Sequence, residues 1–172
     1  GATKLVSDKL FISGNAYSGS NKTRFSVVRY GNVMGSRGSI IPYFLSLKNN
    51  NFLPITDESM TRFMISLEQA VDLVWYSFND MSGGEIYVKK IPSMKITDIA
   101  KAISPKAKYK IIGIRPGEKI HEQMIGLEDA PYTYEYKDYY KIIPSVHPWT
   151  KSYKIRNGKK VKPNFIYDSL NN

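Results

Sequence analysis

Apolar residues return at three- and four-residue steps through Leu67, Ala70, Val71, Val74, Trp75 and Phe78, a spacing that predicts an amphipathic helix over 67–78. Ser66 followed three residues later by Gln69 has the form of a capping box, and Gly83 with Gly84 punctuates the far end. Residues Ala2 to about Ala16 predict a second helix, carried by Leu5, Leu10 and Phe11 and closing near Gly14 and Asn15. A third spans Ser39 to Lys48 with Ile40, Ile41, Phe44, Leu45 and Leu47 apolar, and Thr97 caps a short fourth through Ile103. Between them, runs dense in β-branched and aromatic residues predict strands at Phe25 to Arg29, around Ile86 and Val88, and at Tyr109 to Ile114. From Tyr132 onward the pattern dissolves into "YTYEYKDYYKIIPSVHPW", which predicts irregular or short-stranded packing. The alternation of helices and strands is that of an α/β domain with a mainly parallel sheet.

Length and composition narrow the picture. A chain of 172 residues builds one domain with a real core, and 42% apolar content argues against disorder. No apolar run approaches a bilayer span, and "GATKLVSDKLF" lacks the order of a signal peptide. With no cysteine there are no disulfides or thiolate metal sites. The net charge of +10 attracts nucleic acid, anionic membrane or small anions alike. Much of it lies in "KSYKIRNGKKVK", Lys151 to Lys162, six basic residues without an acid, which predicts a solvated basic tail or loop. A basic module that stacks nucleic-acid bases on the neighbouring tyrosines is the alternative of a different class.

Candidate chemistry gathers where strands hand over to helices, at "RYGNVMGSRGSIIPYF" (Arg29 to Phe44) and "IRPGEK" (Ile114 to Lys119). Glycines let backbone approach a ligand closely, helix starts offer unpaired N–H groups, and arginine adds a bidentate fork. Arg37, Arg62 and Arg115 therefore either converge on an anion or serve as unrelated surface and salt-bridge arginines. His121 and His147 are too far apart in sequence for local metal spacing, so no metal site is expected. Neither a Walker spacing nor G-x-G-x-x-G is present.

Five blocks in order, "GATKLVSDKLF", "VVRYGNVMGSRGSIIP", "PITDESMTRFMI", "GGEIYVKKIPSMKITDIAKAI" and "IIGIRPGEKIHEQMI", resemble the C-terminal half of extended short-chain dehydrogenase/reductases acting on nucleotide sugars. Within them the chain is most similar to the inverting UDP-N-acetylglucosamine 4,6-dehydratases of bacterial glycan pathways such as the pseudaminic acid route. The resemblance runs from Gly1 to about Glu128. It implies the C-terminal part of a Rossmann-type parallel sheet plus a small α+β substrate-binding domain. Residues 1–36 would carry the last helix and strand of the dinucleotide-binding domain, and 37–128 the substrate region with a returning Rossmann helix and strand at 66–90. Residues 129–172 would form an irregular, basic extension.

The family's tyrosine, three residues before a residue that precedes its lysine, would fall just before Gly1, so the chain is expected to be a piece of a longer enzyme and inactive alone. Lys4 would hold the nicotinamide ribose of NADP, or of NAD, and lower the pKa of that tyrosine. Tyr30 and Val33 resemble backbone contacts to the nicotinamide. Asn32 resembles the residue bonding the substrate near its sugar and phosphates, and Ser39 and Ile40 would offer backbone donors to the diphosphate. Pro54 and Thr56 match the strand edge under the uracil, Arg62 and Arg115 the diphosphate arginines, and Glu118 the acceptor for the ribose hydroxyls; Arg37 joins the substrate-binding set.

The implied reaction oxidises C4 of a UDP-sugar, eliminates water across C5 and C6, and returns the hydride to C6. Retaining 4,6-dehydratases and C4-epimerases of the same superfamily are the alternatives. A cytoplasmic enzyme is implied, homo-oligomeric at full length, with a UDP-sugar as partner, no nucleic acid, and no membrane in the residues present. Taken alone, the strands Phe25 to Arg29 and Ile86 to Val88 would be left with unpaired edges, and the chain is expected to aggregate or stay partly molten.

Overall fold

The structure is a computed structural model that describes residues 2–19, 22–145 and 155–172. His147 and the opening of the basic run, Lys151 to Lys154, lie outside the described residues. In chain order the elements are α1 (Ala2–Tyr17), β1 (Val27–Arg29), β2 (Asn32–Val33), α2 (Ile40–Ser46), β3 (Phe52–Ile55), β4 (Thr61–Ile65) and α3 (Leu67–Asp80). They continue with β5 (Ile86–Lys89), β6 (Ser93–Lys95), α4 (Ile96–Ile103), β7 (Lys108–Ile111), β8 (Gln123–Ile125), β9 (Thr133–Glu135) and β10 (Tyr139–Ile142). Two compact units result: Gly1–Arg29, Val71–Lys90 and Met124–Ile166 form the first, and Tyr30–Ala70, Ile91–Gln123 and Tyr167–Asn172 the second.

The first unit is built on a sheet ordered β1-β5-β10-β9 and then Lys159–Lys160. Only β1 and β5 run parallel, Val27 opposite Ile86 and Arg29 opposite Val88; the remaining pairings are antiparallel. The sheet is thus mixed, where the alternation of elements predicts a mainly parallel one. Strand β5 is paired on both sides and is not the open edge expected of it, whereas β1 ends the sheet. Residues 133–142, expected to be irregular or short-stranded, supply two short strands. Lys159 and Lys160 lie exposed on the other outer strand, a placement that discourages further pairing.

Two polar devices hold this unit. Asn15, buried at the end of α1, donates through Nδ2 to the carbonyls of Ile12 and Phe25, both at 2.9 Å, and accepts the Phe25 N–H at 2.9 Å. All its hydrogen-bonding directions but one are therefore used, which is what makes a buried amide tolerable. Arg29 donates to Asp8 on α1 and to Asp129, each at 2.8 Å, and to the Met124 carbonyl at 2.8 Å. Burial works against its charge, but the hydrogen bonds and charges of Asp129 and Asp8 outweigh that and raise its pKa.

A tyrosine layer completes the unit. Lys141 is buried, pairs with Asp80, and sits 5.2 Å from the Tyr87 ring centre and 5.5 Å from that of Tyr136. Tyr87 donates to Asp80 at 2.7 Å, and Tyr136 stacks on Tyr139 with ring centres 4.6 Å apart. Burial pushes the Tyr87 phenol far up, with the charges of Glu85 and Asp80 adding to it.

The helix α3 forms where its spacing predicts and runs two residues further. Its cap is reciprocal: the Gln69 N–H donates to Ser66 Oγ at 3.1 Å, and the Ser66 N–H to Gln69 Oε1 at 3.2 Å. Ser66→Ala removes half of this box and should lower stability by about 1 kcal/mol, read as a shift in denaturation midpoint of the full-length protein. The apolar stripe itself is a surprise, since Leu67, Val71, Val74, Trp75 and Phe78 are exposed and the buried positions are Ala70, Leu73 and Ser77. By contrast the N-cap of α4 is Lys95, two residues ahead of the expected Thr97, and α2 is confined to Ile40–Ser46.

The second unit has its own core of Phe44, Leu53, Ile55, Met60, Met64, Ile96, Ile99 and Ala100. Helices α2 and α4 contribute Phe44 and the Ile96, Ile99 and Ala100 face, β3 gives Leu53 and Ile55, β4 gives Met64, and Met60 stands just before β4. Burying side chains of this kind stabilises by about 1.5–3 kcal/mol each before chain entropy is counted. Strand β2 runs parallel to β4, β4 antiparallel to β6, and β3 parallel to β7 with Pro54 opposite Lys110. Among the described residues no helix is long and apolar enough to cross a membrane.

Candidate functional site

Within the second unit, the segment from β2 to α2 folds as two successive turns. The Ser36 N–H donates to the Val33 carbonyl at 3.1 Å and the Ser39 N–H to the Ser36 carbonyl at 3.0 Å. Gly35 and Gly38 take the third position of each turn at φ 75° and 74°, where a side chain would be strained. The tandem turn sets Asn32 and Val33 on one side and Ser39 with Ile40 on the other. Facing them are Thr56 after β3, Arg62 on β4, and Glu118.

These residues, with Met34, Gly38, Ile41, Met60, Met64 and Ile96, line a cavity of about 250 Å³. Its floor is the apolar core and its rim is polar. The turn Arg115–Glu118, built on Pro116 and Gly117 and closed by the Glu118 N–H to the Arg115 carbonyl at 3.0 Å, brings Glu118 to the rim.

Arg62 is more committed than a free anion ligand would be. Its Nη1 donates to the carbonyls of Thr61 at 2.8 Å and Ile120 at 2.9 Å, and Nη2 to that of Lys119 at 2.9 Å. Glu118 stands 3.9 Å from Nη2 and Glu122 3.8 Å from Nε. The guanidinium thereby staples the segment 118–122 to β4 while still forming part of the cavity wall.

Of the residues singled out in the sequence, Asn32, Val33, Ser39, Ile40, Thr56, Arg62 and Glu118 share this cavity. Tyr30, Arg37, Pro54 and Arg115 do not line it; the side chains of Tyr30, Arg37 and Arg115 are exposed. Of the three arginines, Arg62 is the one that lines it. Ser39 spends its backbone N–H on Ser36, whereas its Oγ is buried and has no partner, which leaves a hydroxyl rather than an amide to offer a ligand. Lys4 is exposed on α1, in the first unit.

Sequence reasoning passed over a network behind the cavity. Thr61 Oγ1 shares hydrogen bonds of 2.7 Å with His121 Nδ1 and with Ser169 Oγ, so His121 belongs to a polar chain. Ser169 Oγ also accepts the Glu122 N–H at 2.9 Å, and the Ser169 N–H returns to the Glu122 carbonyl at 2.8 Å. Glu122, four residues beyond Glu118 in "GEKIHE", was the available signal.

Comparison with known proteins gives this α/β chain a family. The chain belongs to the family described as polysaccharide biosynthesis protein, which it matches over residues 1–144. It is 52% identical over 180 residues to a UDP-N-acetylglucosamine 4,6-dehydratase (inverting) of Campylobacter jejuni, covering 100% of this chain and 54% of that protein. A UDP-glucose 4-epimerase of Rickettsia bellii is 42% identical over 147 residues, 83% of this chain and 43% of that protein. Among solved structures, Pen from Bacillus thuringiensis superposes with a TM-score of 0.86 at 35% identity, covering 98% of this chain and 52% of that one. The chain spans about half the length of the curated relatives it matches.

Proposed function

We propose that this chain is part of an inverting UDP-N-acetylglucosamine 4,6-dehydratase of bacterial surface-glycan synthesis, and that the cavity of the second unit receives part of the UDP-sugar. The observation that carries the reading is the meeting of Asn32, Ser39, Thr56, Arg62 and Glu118 around one cavity. Hydroxyl and amide groups with a carboxylate are the chemistry that reads a polyhydroxylated ligand. At about 250 Å³ the cavity falls below the roughly 300–1,000 Å³ of complete ligand pockets, so it takes a sugar ring and its neighbours rather than the whole molecule.

In this reading Glu118 accepts from ribose hydroxyls, Thr56 and Pro54 border the uracil, and Ser39 and Ile40 approach the diphosphate. Arg37 and Arg115, exposed on their loops, supply the remaining positive charge. Arg115→Ala should raise the KM for UDP-N-acetylglucosamine about tenfold or more, the loss of one charge-assisted hydrogen bond, and an unchanged KM removes the residue from the site.

The cofactor is NADP, with NAD the alternative; when bound it accepts a hydride from C4 and gives it back at C6. Lys4 fits a role beside its ribose, since its ammonium is exposed and has no ion-pair partner among the described residues. Tyr30 and Val33 are its proposed backbone contacts. The enzyme would act in the cytoplasm as a homo-oligomer.

The Rickettsia relative favours a second reading, C4-epimerisation of a UDP-hexose. Incubating the full-length protein with UDP-N-acetylglucosamine and NADP, and following products by NMR, separates the two. A new C6 methyl group with inverted C5 is expected; a C4 epimer retaining its C6 hydroxymethyl would overturn the dehydratase reading in favour of the other.

A further inference from the structure

The orientation of one amide at the cavity is fixed by its neighbours. Asn32 Nδ2 lies 3.1 Å from the Phe63 carbonyl and 3.0 and 3.1 Å from the two carboxylate oxygens of Glu122. All three are acceptors, so the nitrogen must face them; exchanging Oδ1 and Nδ2 would set oxygen against oxygen three times over. Both Nδ2 hydrogens are then committed, and Oδ1 is the polar atom of this side chain left for a ligand.

Glu122 itself is held firmly. Its Oε2 accepts the Phe63 N–H at 2.9 Å, Arg62 Nε stands 3.8 Å away, and its backbone exchanges hydrogen bonds with Ser169. Such a carboxylate neither rotates away nor offers a donor.

We propose that Glu122 is a positioning residue: it turns Asn32 so that only the amide oxygen faces the cavity, and thereby selects a sugar hydroxyl or amide N–H there and refuses a phosphate oxygen. The proposal rests on the nucleotide-sugar reading of the cavity. It sharpens that reading, because a residue expected between sugar and phosphates is assigned to the sugar.

Glu122→Gln keeps the size of the side chain but turns one acceptor into an NH₂ group. Facing a second NH₂, it forces Asn32 to flip or to lose its partner. Calorimetric titration of the full-length protein with UDP and with UDP-N-acetylglucosamine reads the consequence.

For Glu122→Gln the affinity for the UDP-sugar should fall about tenfold, while that for UDP changes less than twofold. Asn32→Ala should show the same sugar-selective loss, and the double variant should be no weaker than Asn32→Ala alone, as expected of residues that act as one unit. Equal losses for both ligands, or additive effects, would overturn the proposal. Should Glu122→Gln not fold, Asn32→Ala decides by itself: if it weakens UDP as much as the UDP-sugar, the amide reads the diphosphate and the proposal falls. A wild-type protein that binds neither ligand removes the reading of the cavity, and the proposal with it.

Discussion

Gly31→Ala should destabilise the protein by about 3 kcal/mol, at the severe end of overpacking. A Cβ on residue 31 would lie 2.4 Å from Phe63 Cβ, 2.7 Å from its carbonyl oxygen and 2.9 Å from its carbonyl carbon. Those atoms cannot swing aside. Phe63 is fully buried, its N–H is held by Glu122, and its carbonyl accepts from Asn32. Relief requires β2 to move off β4, which breaks the pairing of Asn32 with Met64 and scatters the cavity wall. Gly35→Ala is the informative comparison, because an added Cβ there meets nothing within 4 Å and only the positive φ is strained. Its cost should be about 1 kcal/mol. Guanidinium midpoints of the two variants should therefore differ widely, and equal midpoints would refute the close-approach argument.

The second large effect is expected at Arg29. Arg29→Met removes the cation that the carboxylates of Asp8 and Asp129 share, and it takes one donor from the Met124 carbonyl. The side chains of all three ionic partners are less than one-fifth exposed, at 17%, 19% and 12%. Removing one member of so enclosed a set costs about 3–5 kcal/mol, because the surviving charges lose their compensation rather than because the pairs themselves are strong. The measurement is again the denaturation midpoint of the full-length protein. Neutralising all three, with Asp8→Asn and Asp129→Asn added to Arg29→Met, should recover part of the loss. A single variant that stays within 1 kcal/mol of wild type would mean that water reaches these groups.

Helix α3 could be read before any coordinates because its repeat is long and its cap has side chains on both ends of the reciprocal pair. Its orientation could not, since hydrophobicity alone points Trp75 and Phe78 inward and the structure buries Ala70, Leu73 and Ser77 instead. Strands β9 and β10 were legible only as one of two alternatives, for a specific reason. Tyr140, Lys141 and Ile142 are all buried in succession, and the central one is a lysine made tolerable by Asp80 and two aromatic faces. A pattern search sees a charge there and stops. The cavity was legible through resemblance at Asn32, Ser39, Thr56, Arg62 and Glu118. Glu122 was marked only by standing four residues beyond Glu118, because its hydrogen bonds to Asn32 join positions ninety apart, and separations of that kind leave no periodicity.

The hydroxyl of Ser169 gives the segment Tyr167–Asn172 an importance out of proportion to its length. It is almost fully enclosed, and it bridges Thr61 to the backbone of Glu122. Removing this hydroxyl should unseat the loop behind the cavity even though Ser169 does not line the cavity itself. A full-length protein carrying Ser169→Ala should therefore lose sugar-nucleotide affinity while keeping its helical circular dichroism.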